Sequence, residues 1–212
     1  MENPGVRYEP LRLTAELSLK RGRVHEVTGA AADSFAVMVA AKTSGSIVWI
    51  GRARAVGTLT PMALCEFFDP ARVLLTEGSS RKEVLWAAEQ VLRSKGAGLT
   101  VIQLAIGPDL IESRRLQLAA EQGGGLGLIL IERSAQSSAA QTRWHCQALP
   151  NLNVANVNAA NANPANDCDK WMWELTKNKS GNIGRWVVKC PKIRGGRHGA
   201  TRDVHMVAAT AA

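Results

Sequence analysis

The chain is predicted to be an α/β protein with a mainly parallel sheet, flanking helices and antiparallel strands at its C-terminal edge. Three observations predict this. Four short apolar runs, Ser46–Gly51, Arg72–Thr76, Leu99–Ile106 and Leu126–Glu132, lack polar alternation and read as strands buried on both faces. Segments of helical character separate them, which is the rhythm of a parallel sheet with crossover helices. Beyond Glu132 the helices stop and further strands follow directly.

Taken in order, Arg23–Thr28 (RVHEVT) is a short strand, and Gly29 opens a turn into an Ala/Val/Met-rich helix over Ala32–Lys42. The run SIVWIG at Ser46–Gly51 is the next strand, Pro61–Phe68 a short helix and RVLLT at Arg72–Thr76 another buried strand. Ser79–Lys95 carries Val84, Leu85, Ala88, Val91 and Leu92 on one stripe, with Ser79 or Ser80 as cap and Gly96 as stop. Leu99–Ile106, a helix over Ile111–Glu121 ended by Gly123–Gly125, and Leu126–Glu132 complete the alternation. Thr142–Leu149 is an added strand, and Lys170–Thr176 and Gly184–Cys190 form a hairpin around Asn178–Asn182. These late strands are expected to be antiparallel additions at one edge.

Three regions follow from this reading: a polar lead over 1–22, a folded domain over 23–190, and a basic tail over 191–212 expected to be disordered. Inside the domain, Asn151–Asp167 is an Asn/Ala tract that cannot pack a core and is expected to be a loop. With 212 residues, 46% hydrophobic and 21% charged, the chain can bury one full core. Its longest uncharged apolar runs, Phe35–Ala41 and Leu126–Ile131, are far too short to span a bilayer. The N-terminus alternates charged and apolar residues where a secretory leader needs an apolar block, so a cytoplasmic location is expected. Cys65, Cys146, Cys168 and Cys190 form no CxxC pair and support neither a disulfide framework nor a metal site. Of the 26 basic residues 9 lie in 151–212, against only 4 of the 18 acidic ones, so the net charge of +8 is concentrated there. Such an excess permits contact with nucleic acid or an acidic protein without requiring either.

A strand, a Gly turn and a helix at the start of a parallel sheet is where a phosphate-binding loop of pattern G-x-x-x-x-G-K-[ST] would lie. Here the residues are Gly29-Ala30-Ala31-Ala32-Asp33-Ser34-Phe35-Ala36. The first glycine is present, while Ser34, Phe35 and Ala36 stand where the second glycine, the lysine and the Mg²⁺-binding hydroxyl belong. Asp33 puts a carboxylate at the helix N-terminus, where it would take up the amides that otherwise attract phosphate. On local sequence alone, Asp33 is equally a plain helix cap with no such ancestry. The strand Leu99–Ile106 also lacks an acidic residue at its end to hold Mg²⁺. ATP hydrolysis, and with it a cofactor or metal, is therefore not expected.

Other residues offer weaker signals. Arg114 and Arg115 begin a helix on the side of the sheet where such folds bind partners. Trp171, Trp173 and Trp186 near Lys177, Lys179 and Arg185 form a pattern that could stack bases beside phosphate contacts, although such tryptophans more often cover a sheet face. Arg194 and Arg197 flank a Gly pair in the tail, a single copy of an RGG-like motif. Trp86 lies off its helix stripe and would suit an interface if exposed, with packing against a neighbouring segment the more ordinary outcome. His25-Glu26 and His145-Cys146 are strand neighbours that point to opposite faces and make no catalytic pair.

GRVHEVTGAAADSFA (Gly22–Ala36), SIVWI (Ser46–Ile50), FFDPARVLLTEG (Phe67–Gly78), EVLWAAEQVLRS (Glu83–Ser94), SRRLQLAAEQGGGLGLILI (Ser113–Ile131), TRWHC (Thr142–Cys146) and WELTKNKSGNIGRWVV (Trp173–Val188) together resemble the RecA-like superfamily. More closely, they resemble the ImuA family of bacterial mutagenesis cassettes. The resemblance implies a RecA-like sheet and a DNA-repair role in the SOS response to DNA damage. That role is mutagenesis by translesion synthesis, in which an adaptor acts beside RecA, an ImuB-type protein and an error-prone DNA polymerase complex. The altered phosphate loop, the missing acidic strand end and the short connections after Ile106 and Glu132 depart from RecA itself, which puts ATP-driven filament formation in doubt. Three alternatives stay open: a divergent ATPase, a DNA-binding module, and a division inhibitor like SulA. Nucleotide binding, a steep salt dependence of DNA affinity, and cell filamentation on overexpression would respectively mark them.

Overall fold

A computed structural model describes residues 8–14, 17–57, 59–133, 137–150, 168–191 and 205–208. A two-strand hairpin, β1 (Leu11–Arg12) and β2 (Ser18–Leu19), leads into β3 (Arg23–Thr28), α1 (Ala32–Lys42) and β4 (Ser46–Gly51). Next come short helices α2 (Ala53–Val56) and α3 (Pro61–Leu64), a 3-10 turn at Pro70–Arg72, β5 (Val73–Glu77), α4 (Arg81–Arg93), β6 (Ala97–Ile106), α5 (Leu110–Gly123) and β7 (Leu126–Arg133). The strands β8 (Thr142–Ala148), β9 (Cys168–Asn178), β10 (Gly184–Pro191) and β11 (His205–Ala208) end the described chain.

One sheet carries nine strands in the order β11-β10-β9-β8-β3-β7-β6-β4-β5. From β5 across to β8 every pairing is parallel, and β9, β10 and β11 add antiparallel. The predicted architecture of a mainly parallel sheet, flanking helices and antiparallel edge strands is therefore present. Two expectations need correction. The strand at Thr142–Ala148 does not belong to the antiparallel group: Gln141 N donates to Val24 O at 2.8 Å and the strand then runs parallel to β3. The RVLLT strand is not buried; it forms the sheet edge, with Leu74 56% and Leu75 52% exposed. Apolar runs of this length do not reveal whether both neighbours are present.

The helices cover the sheet from two sides. On one face α1 packs Phe35, Ala36, Val39 and Ala40 over Val27, Trp49, Val101 and Leu128, together with Trp144 and Trp173 from the added strands. On the other, α4 and α5 bury Val84, Ala88, Leu92, Leu116 and Ala120 over Val24, Ile50, Ile102 and Ile129. Alternate residues of each strand feed alternate faces, which is why the runs read as continuously apolar. Ser80 caps α4 by accepting from Glu83 N at 3.2 Å, and Glu83 accepts from Ser79 N in return. Asp109 and Glu112 form a reciprocal capping box on α5. Gly124 ends α5 at φ 73°, a left-handed conformation, and Tyr8 packs where its Cβ would stand. The lead also contributes to the core: Leu11, Leu13, Leu17 and Leu19 are buried on the α1 face. Within the segment read as a tail, His205–Ala208 pairs with β10.

At the centre of the sheet β3 holds two buried polar residues. Glu26 accepts from Arg143 Nε at 2.8 Å and from the Ser138 hydroxyl. His25 donates from Nε2 to Lys20 O at 3.0 Å and accepts at Nδ1 from the Thr142 hydroxyl at 2.6 Å, while Trp144 Nε1 donates to the same hydroxyl. The neutral ring thus has both nitrogens satisfied, and burial pulls its pKa down to about 4, against a hydrogen bond to Lys20 O that raises it. Because the unfolded ring titrates near its ordinary value, the unfolded state takes up the proton first as pH falls. Stability contributed by neutral His25 is present above about pH 6.5 and is lost as pH falls toward 4. Urea unfolding is predicted to show His25 costing about 2 kcal/mol between pH 7 and pH 5, a dependence that His25→Phe removes.

Candidate functional site

In open α/β sheets ligands collect at the carboxyl ends of the strands where connections leave in opposite directions. Here that point is β3, because the chain leaves it toward β4 on one side while β7 connects across it to β8 on the other. The turn after β3 therefore occupies the position where a phosphate would be bound.

Gly29 sits in this turn at φ +94°, and a Cβ there would lie 2.2 Å from the carbonyl oxygen of Cys146 on β8. Only glycine permits both the backbone angle and the close approach. The same carbonyl accepts from Ala31 N at 3.1 Å, so a backbone oxygen already occupies an amide of the turn. Ala32 N donates to Gly29 O and Phe35 N to Ala31 O, each at 3.1 Å. The Thr28 hydroxyl donates to Trp144 O at 3.1 Å and so accepts from His145 Nδ1, also at 3.1 Å. This leaves His145 Nε2 to accept from Gln147 Nε2 at 2.9 Å. Burial pushes the Cys146 thiol well above the ordinary range, which makes it a packing residue and a poor nucleophile.

Phe35 is fully buried in the first turns of α1, its ring centroid 4.6 Å from that of Trp173 and 5.4 Å from that of Trp144. Trp144 in turn meets Trp173 edge-on at 6.5 Å and Trp186 at 6.0 Å. Ala36 is fully buried beside Phe35. Asp33 does not cap the helix. The cap position is Ala31, without a side-chain bond, and Asp33 lies one residue inside the first turn, exposed and accepting from Gln103 Nε2 at 3.2 Å. Partial burial raises its carboxyl pKa, with the Gln103 bond opposing. Gly29, Asp33, Ser34, Phe35 and Ala36 are thus brought together, but their side chains diverge: Phe35 and Ala36 into the core, Asp33 and Ser34 toward an outer groove.

That groove, of about 290 Å³, is lined by Asp33, Ser34, Val37 and Met38 of α1, by the α3 region from Leu59 to Phe67, and by Trp171. Sequence reasoning missed it, because 52–72 has no periodicity that would announce a wall.

The predicted cations are largely engaged within the fold. Lys177 Nζ donates to Ser138 O and Lys179 Nζ to Ala139 O, each at 2.6 Å, and burial with the neighbouring Lys179 lowers the Lys177 pKa. Arg115 pairs with Glu89 at 2.7 Å and Arg185 with Glu174 at 3.0 Å. Arg114 is exposed, without an ion pair to a described residue. Trp171 and Trp173 are buried and cannot stack bases; they cover the sheet face, and Trp186 packs half-buried against the same cluster, on Trp144. Trp86 is 61% exposed on α4. Arg194 and Arg197 lie outside the described residues. Among the described residues no three His, Cys, Asp or Glu side chains gather as a metal site, and no helix is long and apolar enough to cross a membrane.

These features define an α/β protein whose sheet has a switch point at β3, with an aromatic side chain packed beneath the turn. Comparison with known proteins adds a particular likeness. The chain is similar to Protein ImuA of Caulobacter vibrioides, strain NA1000 / CB15N, with 27% identity over 190 residues that span 82% of this chain and 74% of that protein. Protein ImuA of a second strain of the species, CB 15, matches with the same figures. No family model matches the chain. The likeness to the ImuA family read from the sequence is borne out.

The fit of Gly29 against β8 yields a direct prediction. Gly29→Ala should lower the unfolding free energy by roughly 3 kcal/mol, from the strained backbone and the displaced Cys146 carbonyl. Thermal and denaturant unfolding would measure it, and a loss under about 0.5 kcal/mol, the size of an ordinary surface change, would mean the approach is not tight.

Proposed function

We propose that this chain is a RecA-like accessory protein of a damage-induced mutagenesis cassette, joining RecA to an ImuB-type polymerase homologue and the error-prone polymerase complex without hydrolysing ATP. The likeness to Protein ImuA supports the cassette role. The absence of ATP chemistry is supported by Phe35, which fills the core at the position where a phosphate loop carries its lysine. A turn amide already bonded to Cys146 O agrees with it. A lysine at that position must reach outward to the β- and γ-phosphates, whereas this side chain is held inward by two tryptophans. The regressed turn would keep the shape of the fold and leave its surfaces for partners.

A DNA-binding role is less favoured, because Lys177, Lys179, Arg115 and Arg185 are already bonded within the fold. It would rest on Arg114 and on Arg194 and Arg197. Isothermal titration with ATP and Mg²⁺ is expected to show no saturable binding, while RecA or an ImuB-type protein is retained by the immobilised full chain. Micromolar nucleotide binding would overturn the reading, as would failure to retain either partner.

A further inference from the structure

We propose that the groove beside the first turns of α1 is a docking site for a partner protein segment that presents an aliphatic side chain followed by a lysine or arginine. This does not depend on the cassette role. The walls are Val37, Met38, Leu59, Leu64, Phe67 and Trp171, and the polar residues of the described lining are Asp33, Ser34 and Thr60. A volume of about 290 Å³ admits one leucine-sized side chain and the methylenes of a neighbour. The groove is open along one side and offers few hydrogen-bond groups, which suits a side chain carried on an extended peptide and not an enclosed polar metabolite.

Charge selects the second half of the guest. Among the described lining residues Asp33 is the one that is charged, with no lysine or arginine beside it. Its bond from Gln103 comes from a neutral amide, so that partner brings no positive charge to the carboxylate. A guest entering the groove strips water from that carboxylate. A neutral or acidic guest adds the cost of desolvation or repulsion, whereas an ammonium or guanidinium offsets it. Apolar walls with a lone carboxylate on the rim therefore read as a site for an aliphatic residue followed by a cation. The long methylene stem of lysine or arginine covers the wall while its head reaches the rim.

The test is a titration of the isotope-labelled full chain, followed by NMR, with the acetylated and amidated dipeptides Leu-Lys and Leu-Glu. Leu-Lys should shift the amides of Ser34 and Val37 and the Trp171 indole, and bind about fivefold more tightly than Leu-Glu, as a partly exposed ion pair allows. Asp33→Asn should bring the two peptides to equal affinity. Thr60→Lys, at an exposed position, should abolish the Leu-Lys shifts by supplying a cation from the chain itself, with thermal unfolding confirming that both variants fold. Absence of shifts at the groove, equal affinities in the parent chain, or discrimination that survives Asp33→Asn would each overturn the proposal. So would self-association in sedimentation that Thr60→Lys removes, since a second copy would then be the occupant.

Discussion

The contact of Phe35 with Trp144 and Trp173 joins three parts of the molecule that sequence order keeps apart. Phe35 belongs to the first helix, Trp144 to the last parallel strand and Trp173 to the first antiparallel one. Tilted rings 4.6 to 5.4 Å apart are at the preferred separation for aromatic pairs. The same cluster reaches Trp186 on β10, so the antiparallel extension is held to the parallel sheet by side-chain packing as well as by backbone pairing. Without a large apolar side chain under α1, the tryptophans of β8 and β9 would line a void, and close-packed interiors do not tolerate voids of that size.

This packing also fixes the turn above it. β8 lies close enough to β3 for Cys146 O to occupy the space over Gly29 and to accept from Ala31 N. A phosphate needs those amides turned toward solvent and a cation beside them. Here a carbonyl holds one of those amides, and Phe35, at the position of the lysine, points into the core instead. Asp33 and Ser34, which point away from the core, are left on the wall of an outer groove.

Much of the fold was legible in the sequence, for identifiable reasons. Strands such as Arg23–Thr28 and Ser46–Gly51 are bounded by glycine or polar turns, and α4 carries its stripe between Ser80 and the residues before Gly96. The parallel course of β8 was not legible, because a short apolar strand has the same composition in either direction. Nor was the edge position of β5, since Leu74 and Leu75 look buried when neighbours are unknown. At the site, the residues of the turn were found from spacing, yet the role of Asp33 was misread: composition places a carboxylate near a helix start but cannot say whether it meets amides or Gln103. The bonds made by Lys177 and Lys179 were not legible for a related reason. Their targets, the carbonyls of Ser138 and Ala139, are backbone atoms that leave no mark in the sequence.

The most direct measurement of the central claim is the denaturant midpoint of Phe35→Lys, taken with and without Mg²⁺ and ATP. If Phe35 is a core residue on which sheet and helix depend, the substitution costs at least about 3 to 5 kcal/mol, as loss of a buried aromatic side chain does, and nucleotide restores none of it. A variant that unfolds near the parent midpoint and gains stability from ATP would show instead that the turn is a phosphate loop lacking only its lysine.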